Sequence, residues 1–134
     1  MTWINTAPVI AGVATLLFAL AYSLSSGTAP KGKWMMPFFL SVLFLGFSVY
    51  AGLSEGATGF WPEHIRHLWG NQIWFDLLLA ASVGLFLLVP KAKSLGINPL
   101  PWAVLTVATG SIGLLAFLAF VLWTQEHGGH NAAG

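Results

Sequence analysis

Four long apolar runs set the pattern of this chain: Ala7–Leu24, Trp34–Leu53, Ile73–Val89 and Pro101–Trp123. A helix of about 20 residues, with a range of roughly 17 to 25, crosses the hydrocarbon core of a bilayer, and each run falls in or close to that range. Polar or helix-breaking segments separate them: residues 25–33, rich in Ser, Gly, Pro and Lys, the longer stretch from Ser54 to Gln72, and residues 90–99, bounded by Pro90 and Pro99. The expected fold is all-α, with four transmembrane helices in an up-down bundle. Residues 1–134 read as a single domain, without a repeat, a linker or a second compact region. No Lys or Arg precedes the first run, so it lacks the positive region of a signal peptide and reads as a retained helix.

Composition agrees with the pattern. The chain is 57% hydrophobic and only 7% charged, whereas an ordinary soluble domain is about 25% charged. A formal net charge of +1 creates no basic field for nucleic acid, which leaves lipid and apolar protein surface as partners. Cysteine is absent, and disulfides, thiolate metal sites and iron–sulfur clusters are absent with it.

Charge placement gives an expected orientation. Lys31 and Lys33 lie in the first connection and Lys91 and Lys93 in the third, while the second carries Glu55, Glu63 and one arginine, Arg66. The positive-inside tendency puts the lysine connections in the cytoplasm. With four crossings, both termini and the second loop then face the periplasm. Trp3, Trp34, Trp69, Trp74, Trp102 and Trp123 fall near the ends of runs, and Trp61 lies in the outer loop; this is the distribution of an interfacial anchoring belt.

Between helices in lipid, small residues allow close backbone approach. Ala103, Thr106, Gly110 and Gly113 share a stripe on the fourth run, and Thr15, Ala19 and Ser23 do so on the first. Ser41, Ser48 and Gly52 lie near one face of the second. On the third run the corresponding stripe is Asp76, Ala80 and Gly84, which places the one intramembrane charge on the packing face. An ionised carboxylate in hydrocarbon costs roughly 3 kcal/mol even on the insertion scale. Tyr50, near the outer end of the preceding run, and Gln72, one turn earlier, are the groups expected to satisfy it by hydrogen bonding. A structural node and a proton-handling or ligand-polar-end site are both open to this trio.

The outer loop contains Phe60-Trp-Pro-Glu-His-Ile-Arg-His-Leu-Trp-Gly70. Pro62 suits a first helical position and Gly70 a position just past a helix end. At 100° per residue Trp61, Ile65, Leu68 and Trp69 gather on one face and Glu63, Arg66 and His67 on the other, as in a short helix lying on the membrane surface. His64 and His67 are three apart with Glu63 beside them, and His127 and His130 form a second pair in the tail. Solvated polar residues explain both groups, and no metal site is expected.

From Gly70 to Gly96, GNQIWFDLLLA followed by VPKAKSLGI, and then the NPLPW that opens the last run, the chain resembles small bacterial multi-pass membrane proteins known only as a domain of unknown function. The resemblance covers about the C-terminal half. It implies a bacterial inner (cytoplasmic) membrane protein in which Asp76, Lys91 and Lys93 recur in this arrangement, and it implies no reaction. The paired acids of membrane-bound lycopene or terpene cyclases are missing at Pro62-Glu63-His64.

Four acids and no cysteine offer little chemistry. The expected function is a non-catalytic accessory subunit that docks its Phe-rich surface against a larger integral membrane complex, one containing pigments or quinones being a fitting host. The alternative is a small lipid or isoprenoid carrier or enzyme with a pocket near Asp76, Tyr50 and the surface helix. A haem or pigment protein is a third reading, disfavoured because no histidine lies inside a run. No cofactor is expected, although a bound lipid, carotenoid or quinone is compatible with these residues.

Overall fold

The computed structural model describes residues 3–25 and 31–128. Six helices account for most of them: α1 (Trp3–Leu24), α2 (Met35–Glu55), α3 (Phe60–Ile65), α4 (Leu68–Ser94), α5 (Leu100–Thr109) and α6 (Ser111–Gly128). There is no strand among the described residues. Three helices are long and apolar enough to cross a membrane: α1 with 22 residues, α2 with 21 and α4 with 27. The chain divides into two compact units, 1–30 and 31–134.

The first unit is α1. Its hydroxyls are satisfied inside the helix, Thr15 on the carbonyl of Ala11 at 2.8 Å and Ser23 on that of Ala19 at 2.7 Å. Those two side chains therefore spend their donors on their own backbone.

The second unit is built around a helical hairpin that the apolar run 101–123 conceals. α5 ends at Gly110, whose φ of 64° and ψ of −126° match the first central position of a type II′ turn, which glycine adopts freely. The chain then folds back, and Trp102 stacks on Phe117 at 5.5 Å and on Phe120 at 5.0 Å between ring centroids. In one continuous helix, residues 102 and 117 would be about 22 Å apart. Gly113 makes the return possible: a Cβ there would stand 2.7 Å from the backbone of Leu105 and Thr106. Thr109 accepts a hydrogen bond from the Gly113 N–H at 2.9 Å and so caps the start of α6. The fourth run is thus two helices. α5, with 10 residues, is about 15 Å long and reaches only halfway across a 30 Å core.

The helices flanking α6 have fixed directions. Ser41 donates to the carbonyl of Ile112 at 2.9 Å, and the Gly32 N–H donates to both carboxylate oxygens of Glu126 at 3.0 and 2.9 Å; α2 and α6 therefore run antiparallel. Leu114 covers Gly84, and Ala92, Phe117 and Val121 form the buried cluster with Leu85, Leu88, Val89 and Trp102 packed around it. α4 and α6 accordingly run parallel. α6 stands between α2 and α4, whose backbones stay apart.

Two sequence expectations change as a result. Gly110 is a turn glycine with open space where a Cβ would be, not a packing residue, while Gly113 and the buried Thr106 do lie in the helix contact. The C-terminal end of α6 also sits beside Gly32, between Lys31 and Lys33, whereas a single fourth helix would have carried it to the other end of α2.

Candidate functional site: a polar strip on α4

The faces of α4 have opposite characters. Gly70, Trp74, Ala81, Gly84, Leu88 and Ala92 are buried or half-buried. Leu68, Asn71, Gln72, Phe75, Asp76 and Leu79 line a shallow open groove on the other side, and every one of them is exposed. At 100° per residue the centres of the two sets lie roughly half a turn of the helix apart.

Asp76 therefore belongs to the outward face. The spacing of 76, 80 and 84 by fours drifts about 40° at each step, so Asp76 and Gly84 are some 80° apart. Gly84 meets α6 and Asp76 does not. Nor is the expected trio assembled: Tyr50 is 57% exposed on α2, and among the described residues Asp76, Gln72 and Tyr50 share no hydrogen bond. The backbones of α2 and α4 stay apart, and both Tyr50 and Asp76 lie on exposed faces.

Depth sharpens the problem of the carboxylate. α4 begins at Leu68 rather than Ile73, and its 27 residues extend about 40 Å. Asp76 precedes Lys91 by fifteen residues, about 22 Å along the axis. With Lys91 at one boundary of a 30 Å core, Asp76 lies roughly 8 Å inside the other. A side chain with one methylene is too short to snorkel that distance as lysine does. Its cation inventory is empty: α1 and α2 contain no Lys or Arg, α4 carries Lys91 and Lys93 at its far end, and Arg66 is engaged by Glu63 at 2.7 Å.

The outer segment is a tight corner. α3 has six residues and ends at Ile65, and only Arg66 and His67 separate it from α4. Gly70 is inside α4, buried beneath the carbonyls of Glu63 and His64, where any Cβ would collide with backbone. Leu68 and Trp69 belong to α4 and are 89% and 77% exposed, so the apolar face expected of α3 together with them is not continuous. His64 turns to Trp74, with ring centroids 4.9 Å apart. Its Nδ1 meets the Phe60 carbonyl and its own carbonyl accepts from Asn71 at 2.8 Å. Phe60 and Trp61 complete the cluster around Trp74 at 6.4 and 6.2 Å. Glu63, Arg66 and His67 are solvent-facing. Among the described residues no three His, Cys, Asp or Glu side chains converge for a metal, and His130 lies outside them.

Glu126 is the group that sequence reasoning passed over. An acid at a helix C-terminus opposes the helix dipole, and that mismatch was the available signal. Its carboxylate is resolved by the N–H of Gly32, just ahead of α2, where a negative charge is favoured.

No family model matches the chain, and neither a curated protein nor a solved structure shows significant similarity to it.

Proposed function

We propose that this chain is an accessory subunit of the bacterial inner membrane that docks laterally, through the polar strip of α4, against a larger integral membrane complex. One observation carries the reading. Asp76 is exposed, about 8 Å deep by the helix geometry above, and has no partner among the described residues. Intramembrane ionisable groups face protein or a water-filled cavity rather than lipid. Asn71 and Gln72 extend the strip with amides that hydrogen-bond across helix contacts.

The groove takes all its lining from one helix, which suits a partner helix better than an enclosed lipid or isoprenoid pocket. Under the positive-inside tendency, Lys31, Lys33, Lys91 and Lys93 face the cytoplasm together with the end of α6, while α3 lies at the periplasmic surface.

The test is solubilisation of native membranes in mild detergent and comparison of wild type with Asp76→Leu and Gln72→Leu. Both variants should lose the larger complex while keeping the thermal stability of the isolated chain, because neither side chain holds the fold. Full retention of the complex by both variants would remove the strip from docking.

A further inference from the structure

A docked partner must do something about the charge of Asp76, and this chain supplies nothing that can. Its five Lys and Arg residues are Lys31 and Lys33 ahead of α2, Arg66 on Glu63, and Lys91 and Lys93 about 22 Å and more along α4. A second copy brought to the same strip would place another carboxylate at the same depth and no cation. Neutral amides on a partner would hydrogen-bond to the carboxylate but leave its charge uncompensated in a medium of low dielectric.

Resting on the docking reading above, we propose that the partner presents a Lys or Arg side chain from a transmembrane helix at the depth of Asp76, about one quarter of the way into the hydrocarbon from the side of α3. Asn71 and Gln72, one turn nearer the surface, accept from the remaining N–H groups of that cation. Phe75 and Leu79 provide the apolar contact on either side of it. Charge complementarity selects the partner, and Asp76, the one acidic residue of α4, fixes the register.

The experiment uses the full chain in phosphatidylcholine vesicles, labelled at Ser54→Cys, which is the sole thiol because the chain has no cysteine. The probes are synthetic Leu/Ala transmembrane peptides carrying an acceptor dye. One has Lys a quarter of the way in from each end, so that either insertion direction presents it correctly, and the control has Leu there. Energy transfer should report about tenfold tighter association of the Lys peptide. Asp76→Asn should reduce it to the level of the control, and Asp76→Glu should retain it.

Equal association of the two peptides with wild type, or a Lys preference that survives Asp76→Asn, would overturn the proposal. Energy transfer between donor-labelled and acceptor-labelled copies of the chain that Asp76→Asn abolishes and the Lys peptide does not disrupt would overturn it in favour of self-association. A strip-dependent native complex without a Lys preference leaves docking intact and removes only the basic partner. Loss of the strip dependence in native membranes removes docking itself.

Discussion

Adding one methyl group to Gly113 tests whether the last apolar run is a hairpin or a span. In Gly113→Ala the new Cβ stands 2.7 Å from the carbonyl carbon and oxygen of Leu105 and from the Thr106 nitrogen. All three are backbone atoms, so no rotamer change relieves the contact, and α5 must withdraw by roughly 0.7 Å or more to restore ordinary packing. Withdrawal also loosens the Trp102–Phe117 stack on the same interface. Overpacking costs about 1–3 kcal/mol, and the upper end applies where the obstacle is backbone; exchanging Gly for Ala in a helix returns up to about 1 kcal/mol. The expected net loss is about 2 kcal/mol. Gly46→Ala is the control, since it lies inside α2 with nothing within 4 Å of the added carbon, and it should gain up to about 1 kcal/mol. The two variants should therefore move in opposite directions and differ by about 3 kcal/mol in reversible unfolding by SDS in mixed micelles, followed by far-UV circular dichroism. In a continuous helix over 101–123 the backbone of Leu105 would lie about 12 Å from Gly113 along the axis, and this obstacle to the new methyl would be gone. Stabilisation of both variants would refute the hairpin.

Two further outcomes follow from the same geometry. Cysteines introduced singly at Lys33 and His127 should label from the same side of sealed vesicles, and one at Ser54 from the other; His127 labelling together with Ser54 would restore a complete fourth crossing. Glu126→Gln replaces a carboxylate that accepts from the Gly32 N–H with a neutral acceptor, and Glu126→Ala removes the acceptor altogether. A loss of about 1–2 kcal/mol is expected for alanine and about half of that for glutamine, because hydrogen bonds to charged groups are roughly twice as strong as neutral ones; equal stability of all three forms would mean that Glu126 does not fasten α6 to the start of α2.

Length and hydropathy made α1, α2 and α4 legible in the sequence, because a membrane-spanning helix is specified by little more than an unbroken apolar run. They could not expose the hairpin. α5 and α6 are both apolar, and a turn between them differs from a packed helix by a single backbone conformation at Gly110. The polar triplet Thr109-Gly110-Ser111 in mid-run was the local signal, since Thr and Ser beside Gly carry turn and capping chemistry. The spacing of Ala103, Thr106, Gly110 and Gly113 masked it by matching a packing stripe. Gly70 misled in the opposite direction. It has the chemistry of a helix stop, but its lack of a Cβ serves the crossing of Glu63 and His64 over the first turn of α4. At Asp76 the sequence identified the residue and missed its face, because a stripe of small residues spaced by fours rotates around the helix and cannot by itself say which end of the stripe is covered.

The hairpin and the exposed aspartate are connected. By turning at half depth, α5 and α6 build the core of the second unit at the lysine end, where Pro37, Ser41, Ala92, Thr106, Gly113, Phe117, Ala119 and Val121 are buried. Beyond Gly110, within that unit, α6 no longer covers α2 or α4, and the outer half of α4 rests only on the short α3 through Gly70 and Trp74. A complete fourth span would have had small residues available to line that outer half. With the run folded back, the outer stretch of α4 keeps a lipid-length helix but loses a covering neighbour from the hairpin. It is in this stretch that the carboxylate, the two amides and the flanking Phe75 and Leu79 are exposed. Within the second unit the packing is concentrated at one end, and the other end of α4 is the surface to which the proposed partner would dock.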